Sequence, residues 1–144
     1  MEYLELINTI RTELESSDLI ARVEQGERPD VDLRKRSLYP LAAFYCSSGS
    51  LAPNVVNFTV QLLIADILDV NKETDQDNED FIWNQSLAVV NNLYNKLNRG
   101  VLFAEVIQSE DNTDFNFFTD SLDKGLAGVE VTFEITVKNE MTLC

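Results

Sequence analysis

Between Val55 and Asp66 the chain alternates, with Val56, Phe58, Val60, Leu62 and Ile64 set against Asn57, Thr59 and Gln61. A period of two is the period of a pleated strand, so this segment must lie in a sheet with one face on a core and the other starting out polar. The same constraint returns at 129–137, where Val129, Val131, Phe133, Ile135 and Val137 face in and Glu130, Thr132, Glu134 and Thr136 face out. Two one-sided strands need an apolar layer to cover them, and the rest of the sequence must supply it.

Helical periodicity supplies that layer. Residues 2–23 read as a first helix, because Tyr3, Ile7, Ile10 and Leu14 fall on one face. Leu4, Leu6 and the stretch from Leu19 to Val23 widen or extend the stripe, with Ser16, Ser17 and Asp18 as a break point. A second helix is expected over 78–98, with Trp83, Leu87, Val90, Tyr94 and Leu97 as its stripe. Acidic residues precede it, which suits the positive end of the helix dipole, and Gly100 is placed to end it. Asn91, Asn92, Asn95 and Asn98 lie off the stripe.

The segment LYPLAAFYC at 38–46 reads as a strand, with Pro40 marking an edge or bulge near its start. The loop SSGSLAPN at 47–54 joins it to the alternating strand as a hairpin. Val101–Ile107 reads as a third strand, Phe115 and Phe117 mark a short additional one, and DKGLAG at 123–128 is a turn before the last strand. The expected fold is α+β: a mostly antiparallel sheet of four to five strands, with two amphipathic helices packed on one face, in the order α-β-β-α-β-(β)-β. The 144 residues are enough for a single domain spanning 1–144.

Composition narrows the chemistry. The chain has no histidine, which removes the commonest general acid–base group, the Ser-His-Asp and Cys-His arrangements and imidazole metal sites. No GxGxxG, GxxxxGK[ST], CxxC or HExxH is present, so no cofactor or phosphate loop is expected. Cys46 and Cys144 read as free thiols, Cys46 as a core residue and Cys144 as an exposed one. The acidic stretch at 71–80 alternates Asp75, Asp77 and Glu79 as a calcium loop does. Asp80 stands where the turn glycine should be and Ser86 where the bidentate Glu should be, so no metal is expected. The expectation is no catalytic, metal or cofactor-binding residue, and no enzyme.

With 11 basic against 25 acidic residues the formal charge is −14, which opposes broad nucleic-acid binding and binding to anionic membranes. The N-terminal segment mixes charged and apolar residues, unlike a signal or transit peptide, and no run is long enough to span a membrane, so a soluble intracellular protein is expected. Two features stand out against this background. Arg34, Lys35 and Arg36 form the only basic cluster, which reads either as a charge-complementary subunit contact or as a solvated loop. Phe115, Phe117 and Phe118 sit in a turn-rich stretch, either as an interface or tucked under the sheet edge.

Taken together, SLYPLAAFYC, NFTVQLLIADIL, the acidic loop, the helix FIWNQSLAVVNNLYNKL and the closing strand VEVTFEITVKN resemble neck and tail-completion proteins of long-tailed bacteriophages, including crAss-like phages. The resemblance is to tail-terminator-like subunits and covers the order of elements over residues 1–140. It implies a sheet flanked by helices and a virion structural role in a homo-oligomeric ring, six-fold or twelve-fold. Such a ring caps the tail tube and contacts connector or tail-tube proteins of the neck, and the family has no catalytic residues to carry over. The protein would be made in the host cytoplasm and end in the virion. The extreme acidity departs from a simple terminator. A different class, an acidic DNA-mimic inhibitor, needs carboxylates arrayed on one face, whereas here many lie in the 71–80 and 109–123 loops and the first helix.

Overall fold

The computed structural model describes residues 3–26, 39–68, 70–71, 76–98, 106–107, 113–120 and 125–138. Its frame is the pair of long strands that alternation required. Strand β3 (Val55–Ile67) runs antiparallel to β8 (Leu126–Lys138) in unbroken register, from Val55 opposite Lys138 to Ile67 opposite Leu126. Strand β2 (Leu41–Leu51) lies antiparallel on the other side of β3, with a register shift between Cys46 and Ser48. Beyond β2 lies β1 (Arg22–Gln25), parallel to it. The opposite border of the sheet carries β6 (Val106–Ile107) and β7 (Phe115–Asp120) in tandem, both antiparallel to β8. A two-residue pair, β4 (Val70–Asn71) with β5 (Gln76–Asp77), makes a separate small ladder.

The helices α1 (Tyr3–Glu15) and α2 (Glu79–Asn98) cover one face of this sheet. Leu6, Ile7, Ile10 and Leu14 of α1, and Val89, Val90, Leu93 and Leu97 of α2, are buried in one cluster with Ala42, Phe44, Val60, Leu62, Ile64, Val129, Val131, Phe133, Ile135 and Val137. The inward set of both alternating strands therefore falls where the period of two placed it. The fold is α+β, with a mixed sheet and two helices on one face.

Three details differ from expectation, each for a local reason. First, α1 stops at Glu15 rather than reaching Val23. The Ser16 hydroxyl donates to the Glu13 carbonyl at 2.7 Å and the Leu19 amide donates to the Ser17 hydroxyl oxygen at 3.3 Å, so serine side chains take over backbone partners. Arg22 to Gln25 then form β1, whose parallel pairing makes the sheet mixed, and Arg11 of α1 donates to the Gln25 side-chain oxygen at 2.6 Å.

Second, the buried stripe of α2 is rotated from the one expected. Its buried residues are Ile82, Ser86, Val89, Val90, Leu93 and Leu97, while Trp83, Leu87 and Tyr94 are half-buried on the flank facing the sheet border. An indole N–H needs a partner, which a flank provides and a dry core does not. Third, β2 and β8 are longer than their apolar runs. Strand β2 runs through Ser47 to Leu51, leaving 52–54 as the turn, and β8 begins at Leu126, so Gly128 is a strand residue. The turn glycine is Gly125, at φ 60°.

The helix-free face of the sheet changes character along its length. Asn57, Thr59, Gln61, Thr132, Glu134 and Thr136 occupy one half, with the Tyr45 hydroxyl donating to the Gln61 side-chain oxygen at 2.9 Å and the Thr136 hydroxyl to that of Asn57 at 3.2 Å. The other half is a second apolar cluster, with Tyr39, Leu41, Ala65 and Leu126 buried and Leu63, Ile67 and Phe118 packed against them.

Candidate interaction surface

Strand β7 forms because Phe115, Asn116 and Phe117 alternate beside the inner half of β8, with Phe115 opposite Val131 and Phe117 opposite Val129. That register puts both rings on the helix-covered side, yet they lie at the border, where α2 only partly shields them. Phe115 and Phe117 remain 41% and 45% exposed. The Trp83 ring stacks on Phe117 with centroids 4.9 Å apart, and Phe115 meets Phe117 edge-on at 5.3 Å. Such offset and edge-on pairs add roughly 0.5–1.5 kcal/mol each beyond their burial.

Two hydrogen bonds fix this border to the start of α2. The Trp83 indole N–H donates to the Phe118 carbonyl at 3.0 Å, and the Thr119 hydroxyl donates to the Glu79 carboxylate at 2.6 Å. Below the rings a cleft of about 350 Å³ opens between α2 and the sheet, with Leu87, Tyr94, Phe115 and Phe133 in its walls and Asn91 and Asp114 also lining it. The site is an ordered aromatic ledge with a greasy recess.

The structure separates the three phenylalanines that the sequence grouped. Phe115 and Phe117 belong to the exposed ledge, whereas Phe118, one register step on, points to the helix-free face and packs against Tyr39, Leu41, Ala65 and Leu126. Phe118 is thus tucked against the sheet, while Phe115 and Phe117 stay exposed. Arg34, Lys35 and Arg36 lie outside the described residues, as do Cys144 and the acidic segment 72–75.

A groove of about 510 Å³ crosses the helix-free face, lined by Tyr45, Gln61, Asn116, Glu130, Thr132 and Glu134 among others. Those side chains can hydrogen-bond and carry negative charge. No group of three or more potential metal ligands occurs among the described residues. Cys46 is a half-buried free thiol packed against the main core, and burial pushes its pKa up, so it stays protonated at neutral pH.

Two exposed apolar side chains had no sequence signal strong enough to single them out. Leu51 is 82% exposed at the β2–β3 hairpin, and Phe81 is 64% exposed in the first turn of α2. Leu51 is hidden in a loop-like string of small residues. Phe81 precedes Ile82 in an apolar triplet whose inward member only the packing reveals.

The sequence matches no protein-family model and no curated protein.

Proposed function

We propose that the chain is a structural subunit that assembles with copies of itself into a ring, in the manner of the tail-terminator-like proteins of a bacteriophage neck or tail. The observation that carries this reading is the aromatic ledge. Large aromatic rings on an ordered border strand, stacked and hydrogen-bonded to a helix, form a rigid apolar surface in a chain of charge −14. Contiguous exposed apolar surface of this kind marks interfaces, and aromatic anchors dominate interface energetics. The alternation of a long-stranded sheet with helices on one face is also the architecture the resemblance implies. Acidity fits a wall that passes DNA without holding its phosphates.

Solution mass tests the reading. Sedimentation or mass photometry over a concentration series should show discrete multiples of the 16.3 kDa chain. Replacing Phe115 and Phe117 together by Ser should shift the distribution toward single chains while circular dichroism stays unchanged, since both rings are already half in water. A wild-type protein that remains a single chain at all concentrations, or a double variant that assembles normally, would overturn it.

A further inference from the structure

The alternation that turns Val60, Leu62 and Ile64 of β3 toward the helices continues one step further and turns Asp66 the same way. There its carboxylate joins the wall of a cleft of about 330 Å³ between the turn after α1, the end of β3 and the first half of α2. Asp18, Gln85 and Ser86 are the other polar side chains lining this cleft, and Leu19, Pro40, Ile64 and Phe81 are among its apolar ones. Ser86 is only 3% exposed, yet its hydroxyl has no hydrogen-bond partner among the described residues. A helical hydroxyl can turn back to the carbonyl four residues earlier, as Thr9 does to Glu5 at 2.7 Å. A buried hydroxyl without a partner costs free energy, so what fills the cleft must supply one.

We propose that this cleft binds a primary alkylammonium group, with the ammonium among Asp18, Asp66 and Ser86 and the alkyl chain along the apolar walls. Such a group comes either as a free amine or as the side chain of a lysine in another polypeptide.

Charge calls for a cation, because two carboxylates line the cleft, no basic side chain does among the described residues, and the chain carries −14. A divalent metal fits poorly: calcium takes about six to eight oxygens, and no group of three metal-ligating side chains occurs among the described residues. The apolar walls call instead for a cation with a hydrocarbon body. A primary ammonium has three N–H donors, enough for both carboxylates and the Ser86 oxygen, whereas a quaternary ammonium has none. The site is also held in shape. Oδ1 of Asp66 accepts from the Ile67 amide at 2.7 Å, and the Asn78 side-chain amide donates to the Ile67 carbonyl at 3.2 Å. These bonds fix the end of β3 against the start of α2, and a pre-formed site loses little on binding.

Hexylammonium chloride titrated into the full chain, followed by calorimetry and amide chemical shifts, tests this. The expected result is saturable binding that moves signals around 64–67 and 81–89. Hexyltrimethylammonium, with the same charge and no N–H donor, should bind at least tenfold more weakly. Ser86→Ala and Asp66→Asn should each weaken hexylammonium binding about tenfold, as loss of a charge-assisted hydrogen bond implies. Glu130→Gln, which removes one charge on the helix-free face, should leave it unchanged. Absence of saturable binding overturns the proposal, as does unchanged binding in Ser86→Ala. Equal affinity for the quaternary cation, or equal losses from Glu130→Gln and Asp66→Asn, overturns it too, because net charge alone would then explain the attraction. If Asp66→Asn does not fold, the quaternary cation and Ser86→Ala decide. Nα-acetyl-lysine methylamide separates the sources: affinity equal to that of hexylammonium assigns the cleft to a lysine side chain, and a marked loss assigns it to a free amine.

Discussion

Replacing Gly128 by Ala probes a point where the two long strands lie too close for a side chain. Gly128 stands opposite Ala65 of β3 on one side and Phe118 of β7 on the other, so its backbone is held from both directions. A Cβ built there lies 1.8 Å from the Ile64 carbonyl oxygen and 2.8 Å from its carbon, where ordinary contact begins at 3.4 Å. The clash is with backbone, which cannot swing aside as a side-chain end can. Strands β3 and β8 must part by about 1.6 Å at this point, enough to break the neighbouring ladder hydrogen bonds. If roughly two buried bonds are left unsatisfied at about 1–3 kcal/mol each, the cost is about 4 kcal/mol. That is a large part of the roughly 5–15 kcal/mol a domain has in total. At about 2–4 °C per kcal/mol the melting temperature should fall by about 10 °C. Gly49→Ala is the internal comparison. Its Cβ would sit 2.6 Å from the Asn57 carbonyl oxygen, a milder overlap than the 1.8 Å at Gly128, so its loss should be clearly smaller. Thermal melts followed by circular dichroism decide it. A Gly128→Ala protein melting within 2 °C of wild type, or no lower than Gly49→Ala, would refute the close approach.

Phe133→Asp should abolish cooperative folding, because Phe133 is among the largest fully buried side chains and an unpaired carboxylate there costs several kcal/mol; a soluble variant with a sharp melt would show the register of β8 to be wrong. The Cys46 thiol should alkylate more slowly in the folded protein than in denaturant at pH 8, since burial raises its pKa and lowers the thiolate fraction. Its contribution to stability is whole below the unfolded pKa and is lost as pH rises toward the raised folded value. Equal alkylation rates in the two states would refute this.

What was legible in the sequence was whatever a local period determines. Val129 to Val137 and Val56 to Ile64 specify their own inward faces, because shifting either strand by one residue would bury Glu134 or Gln61 in place of Phe133 or Val60. The helix over 79–98 follows from the same kind of regularity, with Glu79 and Asp80 marking its start. Features set by partners distant in sequence were not legible. Leu19 to Val23 carries enough apolar residues to extend a helix, and only pairing of Val23 with Ala42 makes it a strand. Trp83 fits the helical stripe as well as Ile82 does, and the carbonyl of Phe118 decides which of them turns to the border. The ledge was half legible: the phenylalanines were conspicuous in a polar stretch, but their division between two faces depends on the register against β8.

Salt separates the two kinds of contact that this chain offers. In the proposed assembly an apolar contact at the Phe117 ledge would hold subunits together against the repulsion between two chains each carrying −14. A contact of Arg34, Lys35 and Arg36 with a neighbour's carboxylates draws its strength from charge. Raising sodium chloride from 0.15 to 1 M shortens the screening length from about 8 Å to about 3 Å, which removes repulsion and attraction alike. The sign of the response therefore reports which force dominates. We expect the dissociation constant to fall as salt rises, because the aromatic ledge would keep its contact while the opposing term fades. Changing Arg34, Lys35 and Arg36 to Glu moves the formal charge from −14 to −20, two units for each of the three positions. That variant should associate poorly at low salt and recover most of its affinity at 1 M, since the triplet then acts only through net charge. Association of the wild type that weakens steadily with salt, together with a triple-Glu variant that stays monomeric at 1 M, would transfer the contact to the basic triplet and refute the apolar one.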